Sequence, residues 1–221
     1  CSFCATRIAR GSSVSRSPTD VVKEAKLLAQ SHPELVITGI HIGHYGHNLQ
    51  PRTTLAELCE QILEAVPVRL RLSSIEATEI DERLLNLLAC SGGQLAPHLH
   101  VPLQSGSDAV LRLMRRWHSR EAYRIRILEI AETIEPFGLG ADVIVGFPGE
   151  GDAEFEETKS LVEELPYTYL HVFPYSVRDG TVAASLPNPV LGGVVAARSR
   201  ELRGIGVEKG RAYEKSRIGS I

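Results

Sequence analysis

No apolar run in the 221 residues approaches the ~20 needed to span a bilayer as a helix. No charged-then-apolar leader opens the chain either, so the sequence reads as a cytoplasmic protein with no membrane partner. Cysteines number only four, in no regular framework, which argues against a disulfide scaffold and suits a reducing compartment. The chain starts on Cys1 rather than methionine, so residues upstream are expected. What is present is ordinary globular composition: 43% hydrophobic and 23% charged residues exclude disorder and collagen-like repeats.

The net charge of −3 is unevenly spread. Residues 1–31 hold five Lys/Arg against two Asp/Glu, and residues 188–221 hold seven against three, so the middle of the chain is acidic. Basic ends can meet a polyanion such as RNA, although on charge alone a solvated helix face and an arginine-rich tail are the better explanation.

Hydrophobic periodicity gives one pattern, repeated. Ser17-Pro18-Thr19-Asp20 is a helix start: a hydroxyl cap, proline at the first position and an acid three residues after the cap. Continuous apolar strands are predicted at 34–40, 68–75, 96–103, 140–146 and 168–175. Helices are predicted between them, near 55–63, 81–90, 107–116, 120–135 and 152–165, with a long polar helix in 190–215. Five strands alternating with helices imply parallel pairing through right-handed crossovers, hence a barrel or a doubly wound sheet. No internal repeat or low-complexity linker divides the chain, so one domain is expected.

Polar or glycine residues follow the apolar core of every strand: Thr38-Gly39, Ser73-Ser74 with Glu76, Gln104-Ser105-Gly106, Gly146-Phe147-Pro148 and Pro174-Tyr175-Ser176. A (β/α) barrel gathers all such ends at one mouth, whereas an open sheet collects ligands at only one or two crevices. Turns alone account for Gly, Pro and Ser, but not for Glu76 and Gln104.

Cys1-Ser2-Phe3-Cys4 is a lone CxxC. Cys59 and Cys90 do not supply a second zinc pair; Cys59 lies on the apolar stripe of its helix, and both read as structural. A redox dithiol should follow a strand and open a helix, and this pair does neither. An iron–sulfur cluster remains, which wants several thiolates on a short loop. His98 and His100 share one strand face and read as core histidines, and Arg112, Arg115 and Arg116 beside Trp117 suit either RNA contact or a helix end with a packed tryptophan.

"CSFCATRIARGSSVSRS" resembles the cluster loop of radical S-adenosylmethionine enzymes. "VITGIHIGHYG", "RLRLSSIEATEI", "HLHVPLQSGSDAVLRLMRR", "ADVIVGFPGE" and "YLHVFPYSVRDGTVAA" together resemble, in order and spacing, the central domain of the methylthiotransferases. "TGIHIGHYG" and "HVFPYSVRDGT" look most like the branch acting on threonylcarbamoyladenosine in tRNA. The resemblance implies an α/β fold, a partial (β/α) barrel of the radical SAM type with five of six strands present and the first strand missing. It further implies a core domain over 1–215, truncated at its N-terminus, and the start of a linker at 216–221.

The implied cofactors are a [4Fe–4S] cluster and S-adenosyl-L-methionine. Cys1 and Cys4 correspond to the second and third cluster cysteines; the first is expected four residues before Cys1. Phe3 corresponds to an aromatic residue near the adenine, and Thr38-Gly39 to the contact with the methionyl amino group. Ser74 and Glu76 are candidate cofactor contacts, Gln104 and Ser105 candidates for the ribose or the substrate. Val145, Gly146 and Pro148 would lie along the adenine edge. The implied reaction adds a methylthio group to C2 of the modified adenosine beside the anticodon, with tRNA, a reductant protein and a sulfur donor as partners. Isopentenyladenosine tRNA and ribosomal protein S12 are the alternative substrates, and a non-catalytic RNA-binding barrel is the alternative of another class. The chain by itself is expected to be inactive.

Overall fold

The computed structural model describes residues 1–219. In chain order its elements are α1 (Thr6–Arg10), α2 (Pro18–Leu28), β1 (Glu34–Ile37), α3 (Leu55–Ala65), β2 (Arg69–Leu72), α4 (Glu82–Cys90) and β3 (His98–His100). There follow α5 (Asp108–Met114), α6 (Arg120–Thr133), β4 (Gly138–Val145), α7 (Asp152–Glu164), β5 (Tyr169–Pro174) and α8 (Gly192–Ser216). The five predicted strands and the alternating helices are present. Four of the strands are shorter than the apolar runs, mainly because residues at their C-terminal ends leave the ladder for loops, whereas β4 starts two residues earlier than predicted. Of the expected linker, Ser216 belongs to α8, and residues 220–221 lie outside the described residues.

Where the sequence suggested one domain, the chain forms two compact units. The first comprises Cys1–Gly11, Val101–Leu128 and the residues from Leu139 onward; the second comprises Ser12–His100 and Glu129–Gly138.

In the second unit β1 and β2 pair in parallel, from Glu34 opposite Arg69 to Ile37 opposite Leu72. Arg71 grips Glu34 across this pair with two bonds, at 2.7 and 3.2 Å, and the guanidinium holds the carboxyl below the usual carboxylate range. Helix α2 starts as predicted: Pro18 occupies its first turn and Ser17 Oγ accepts the Asp20 N–H at 3.1 Å. Its apolar stripe is only partly covered, with Ala25 buried and Leu28 39% exposed. Helix α3 opens on a capping box between Thr54 and Glu57 and buries Leu55, Leu58, Cys59 and Ile62. Burial pushes the Cys59 thiol up to about 12, so it is the inert core residue expected. Cys90, expected to be structural, is instead exposed at the end of α4.

In the first unit β4 and β5 run parallel, from Gly140 opposite Tyr169 to Val145 opposite Pro174. Gly140 lacks a side chain where the Tyr169 ring crosses: a Cβ there would come within 1.9 Å of it. Helix α8, polar over most of its length, docks on β5 where Gly206 lets Leu170 approach and Arg203 donates to the Val172 carbonyl at 2.9 Å. Tyr167 and Tyr123 bond hydroxyl to hydroxyl at 3.1 Å in the core, and Tyr123 passes on to the Val101 carbonyl at 2.7 Å.

Candidate functional site

The first unit holds the cysteine loop on its core. Ser2 is the anchor: its N–H donates to the Met114 carbonyl at 2.8 Å, its hydroxyl to Leu113 at 2.7 Å, and its carbonyl accepts the Ala183 N–H at 2.9 Å. Burying one small polar residue thus leaves Cys1 and Cys4 exposed on either side, with free thiols. Phe3 turns inward and meets Phe147 edge-on at 6.1 Å, while Phe147 meets Tyr175 at 5.1 Å. These rings cap a cluster of Val110, Met114, Phe147 and Ala183.

Each thiol has a donor aimed at it. Arg116 Nη1 lies 3.4 Å from Cys1 Sγ, and the Thr6 N–H donates to Cys4 Sγ at 3.4 Å. Donors to sulfur stabilise the sulfur ligands of an iron–sulfur cluster, so these residues fit such a group. Arg116, considered above for RNA, is directed instead at Cys1 and at the Pro102 carbonyl. Trp117 is not packed: it is 90% exposed.

Gln104 follows β3 in a left-handed conformation, φ 66°, that a non-glycine residue adopts at a cost. Its backbone holds it there, donating to Asp142 at 2.8 Å and accepting from Ile144 at 2.9 Å. Ser105 is fully buried, its hydroxyl 3.2 Å from Thr158 Oγ1, and the Gly106 N–H donates to that same oxygen at 2.9 Å. Ser105 therefore fixes the loop to α7, turning its hydroxyl inward.

Val145 is buried at the end of β4, and Gly146 and Gly149 bend the chain after it with φ of 78° and 89°. Glu150 braces this turn from inside, accepting the Gly146 N–H at 3.0 Å and Arg198 Nη1 at 2.7 Å. Burial raises the Glu150 carboxyl above its usual range, opposed by those two donors. Gly146 and Pro148 line a cleft of about 780 Å³ with Tyr175, Val177, Val195 and Arg203. Predominantly apolar walls with a few polar groups suit a flat organic ligand.

The second unit brings its own candidates together. The Ser73 N–H donates to the Ile37 carbonyl at 2.9 Å, so the ends of β1 and β2 lie side by side, carrying Thr38-Gly39 and Ser74-Glu76. Thr38, Gly39 and Ser74 are exposed and Glu76 is half-buried. His100 is buried, and His98 is pushed down to about 4, first by burial and then by Arg71 and His100.

Ser2, Glu150 and Arg198 were missed in the sequence. Only Glu150, four residues after Gly146, carried a local signal; the other two act through contacts more than 40 residues away in the chain.

Residues 1–162 match the family model of the radical SAM superfamily. Threonylcarbamoyladenosine tRNA methylthiotransferase MtaB of Bacillus subtilis (strain 168) is 41% identical over 194 residues, 86% of this chain and 42% of that protein. The tRNA-2-methylthio-N(6)-dimethylallyladenosine synthase of the same strain is 35% identical over 97% of this chain and 43% of its own length. The chain thus spans about half the length of the curated relatives it matches. Among solved structures, coproporphyrinogen III oxidase (HemN) from Escherichia coli is similar with a TM-score of 0.65 at 18% identity, over 87% of this chain and 44% of that one. That likeness is one of fold and agrees with the α/β class read from the alternating strands.

Proposed function

The chain belongs to the radical SAM superfamily, and from that premise we propose that its parent protein is a tRNA methylthiotransferase acting on threonylcarbamoyladenosine. The observation that carries this reading is the likeness to MtaB, at 36–41% identity over most of the chain, above that to the dimethylallyladenosine enzymes. The geometry of the cysteine loop supports it, since two exposed thiols flank a buried serine anchor, each with a donor, as two of three cluster ligands would.

When bound, the [4Fe–4S] cluster supplies the electron that splits S-adenosylmethionine into a radical able to attack an unactivated carbon. The protein's own part is holding and orienting. Cys1 and Cys4 would supply two of the cluster's thiolate ligands, with Arg116 and the Thr6 N–H donating to their sulfurs. Phe3, Val145, Gly146 and Pro148 are the proposed neighbours of the adenine, of which Gly146 and Pro148 line the cleft. Thr38 and Gly39 are the proposed partners of the methionyl amino group, and Ser74, Glu76 and Gln104 of the remaining polar groups. Ser105 contributes through the loop that it ties down. Trp117, with Arg112 and Arg115, is the proposed RNA contact.

No helix among the described residues is long and apolar enough to cross a membrane. A tRNA substrate, a reductant protein, a sulfur donor and a cytoplasmic setting complete the proposal. The test is mass spectrometry of tRNA nucleosides from a strain lacking the gene. Loss of the 2-methylthio threonylcarbamoyl nucleoside is expected; loss of the isopentenyl counterpart, or no change, overturns the assignment.

A further inference from the structure

In the second unit the loops after β1 and β2 bring His41, His44 and Glu79 together. The backbone of residues 42–44 is a single 3-10 turn, and with three residues per turn positions 41 and 44 eclipse. Their imidazoles stack with centroids 4.1 Å apart and planes 17° apart. His47, three residues further on, stacks on the other side of His44 at 4.7 Å. His44 Nε2 lies 3.4 Å from Glu79 Oε1, and His41 Nε2 contacts the same oxygen.

Glu79 is built into this place. Its side chain is only 12% exposed, and its other oxygen, Oε2, is buried with no hydrogen-bond partner. A Cβ on Gly43 would stand 2.0 Å from that oxygen, so the carboxylate occupies a slot that glycine leaves open. A carboxylate so nearly buried is costly as a bare charge, and a cation bound through Oε1, the oxygen that the two imidazoles meet, offsets that cost. The loop carrying the histidines is pinned separately, by Tyr45 Oη donating to the Arg16 carbonyl at 2.9 Å and Ser15 Oγ accepting the Gly46 N–H at 3.0 Å.

We propose that His41 Nε2, His44 Nε2 and the Glu79 carboxylate form a binding site for a divalent zinc-class ion, with one coordination position left open. Two imidazoles and a carboxylate are a recognised three-ligand set for such ions, whereas calcium and magnesium prefer all-oxygen shells. The three ligand atoms lie within 4.8 Å of one another. Bonds of ~2.0–2.1 Å to a tetrahedral ion put ligand atoms about 3.4 Å apart, the separation that His44 and Glu79 already have, while His41 Nε2 sits closer to that oxygen and has to draw back to admit the ion. No cysteine takes part, so the site is chemically distinct from the iron–sulfur loop. The bound ion clips the β1 loop, which carries Thr38 and Gly39, to the β2 loop.

The test uses the full chain with Cys1→Ser, Cys4→Ser and Cys90→Ser, so that exposed thiolates do not compete. Anaerobic titration with Co²⁺ is expected to load one ion per chain, with the visible absorption of a four- or five-coordinate centre, displaced by Zn²⁺. Glu79→Gln and His44→Ala should each weaken Co²⁺ binding by at least about 100-fold, more than loss of an outer-shell partner does. Gly43→Ala keeps all three ligands yet should also weaken binding by displacing the carboxylate. His44 is exposed, so its alanine variant keeps the fold, which circular dichroism checks. Absence of Co²⁺ binding, or binding unaltered by both Glu79→Gln and His44→Ala, overturns the site and leaves an imidazole–carboxylate pair.

Discussion

Glu150 and Arg198 form a buried ion pair, Oε1 to Nη1 at 2.7 Å, and the same carboxylate oxygen accepts the Gly146 N–H. The pair fastens the turn after β4 to α8, while the second arm of Arg198 reaches Asp152 at 2.6 Å and its guanidinium lies 5.1 Å over the Phe155 ring. The turn that lines the cleft is therefore rigid because of a residue 52 positions downstream of Gly146, not because of its glycines.

Removing one partner strands the other charge in the core. Arg198→Ala is expected to cost about 3–5 kcal/mol in urea unfolding, since the Glu150 carboxylate is left buried and uncompensated. Replacing both residues by apolar ones of similar volume should recover most of that loss. A single-variant cost below about 1 kcal/mol would contradict the arrangement.

Gly106 permits a close crossing: a Cβ at that position would stand 2.6 Å from Thr158 Cα, a backbone atom that cannot swing away. Gly106→Ala should therefore destabilise the chain by about 1–3 kcal/mol through overpacking. Thr158→Val should cost a comparable amount for a different reason, because the Gly106 N–H and the Ser105 hydroxyl lose their shared partner. Chemical denaturation of the two variants and their double mutant checks this. Full additivity would mean that the two substitutions act at independent sites.

Much of this was legible from spacing alone. The Ser17-Pro18 helix start, the buried stripe of α3 and the parallel order of the strands follow from local rules that tertiary contacts did not override. Trp117 was not, because an Arg-Arg-Trp run fits a packed or an open ring equally and only accessibility decides. The His41, His44 and Glu79 cluster was half legible. Histidines at every third position belong to one 3-10 turn, but Glu79 arrives from the loop of another strand. The division into two units left no mark in composition, since the chain passes between them four times, once inside α6 after Leu128 and once at the start of β4 after Gly138.

His118 sets an acid limit on stability. It is 8% exposed, and burial first, then Arg116, pushes its imidazole down to about 4 from an ordinary 6.5. Between those values the unfolded chain binds a proton that the folded chain does not. Stability is complete above about pH 6.5 and falls on acidification toward 4, by at most about 1.4 kcal/mol per pH unit from this group. His118→Leu should flatten the urea-midpoint profile across that window, and an unchanged slope would remove His118 as its source. His98, shifted in the same direction, leaves a residual slope in the variant.

Trp117 presents nearly its whole ring to solvent at the foot of α5, next to Arg115 and Arg116 and just before His118. Solvent alone gives no reason for a tryptophan there, whereas an exposed indole beside cations is a stacking platform for unpaired bases. If the anticodon loop is the substrate, Trp117→Ala should weaken tRNA binding by about 1–3 kcal/mol, or roughly 5–150-fold. Its unfolding free energy should move by no more than about 0.5 kcal/mol, because so exposed a ring contributes little to the core. Trp117→Phe keeps a stacking face and should restore part of the affinity, while raised salt should weaken all three proteins with a similar slope. Filter binding of the three proteins to unmodified and threonylcarbamoyl-modified anticodon stem-loops measures both effects, and equal affinities for the wild-type and alanine proteins would exclude the ring from the RNA surface.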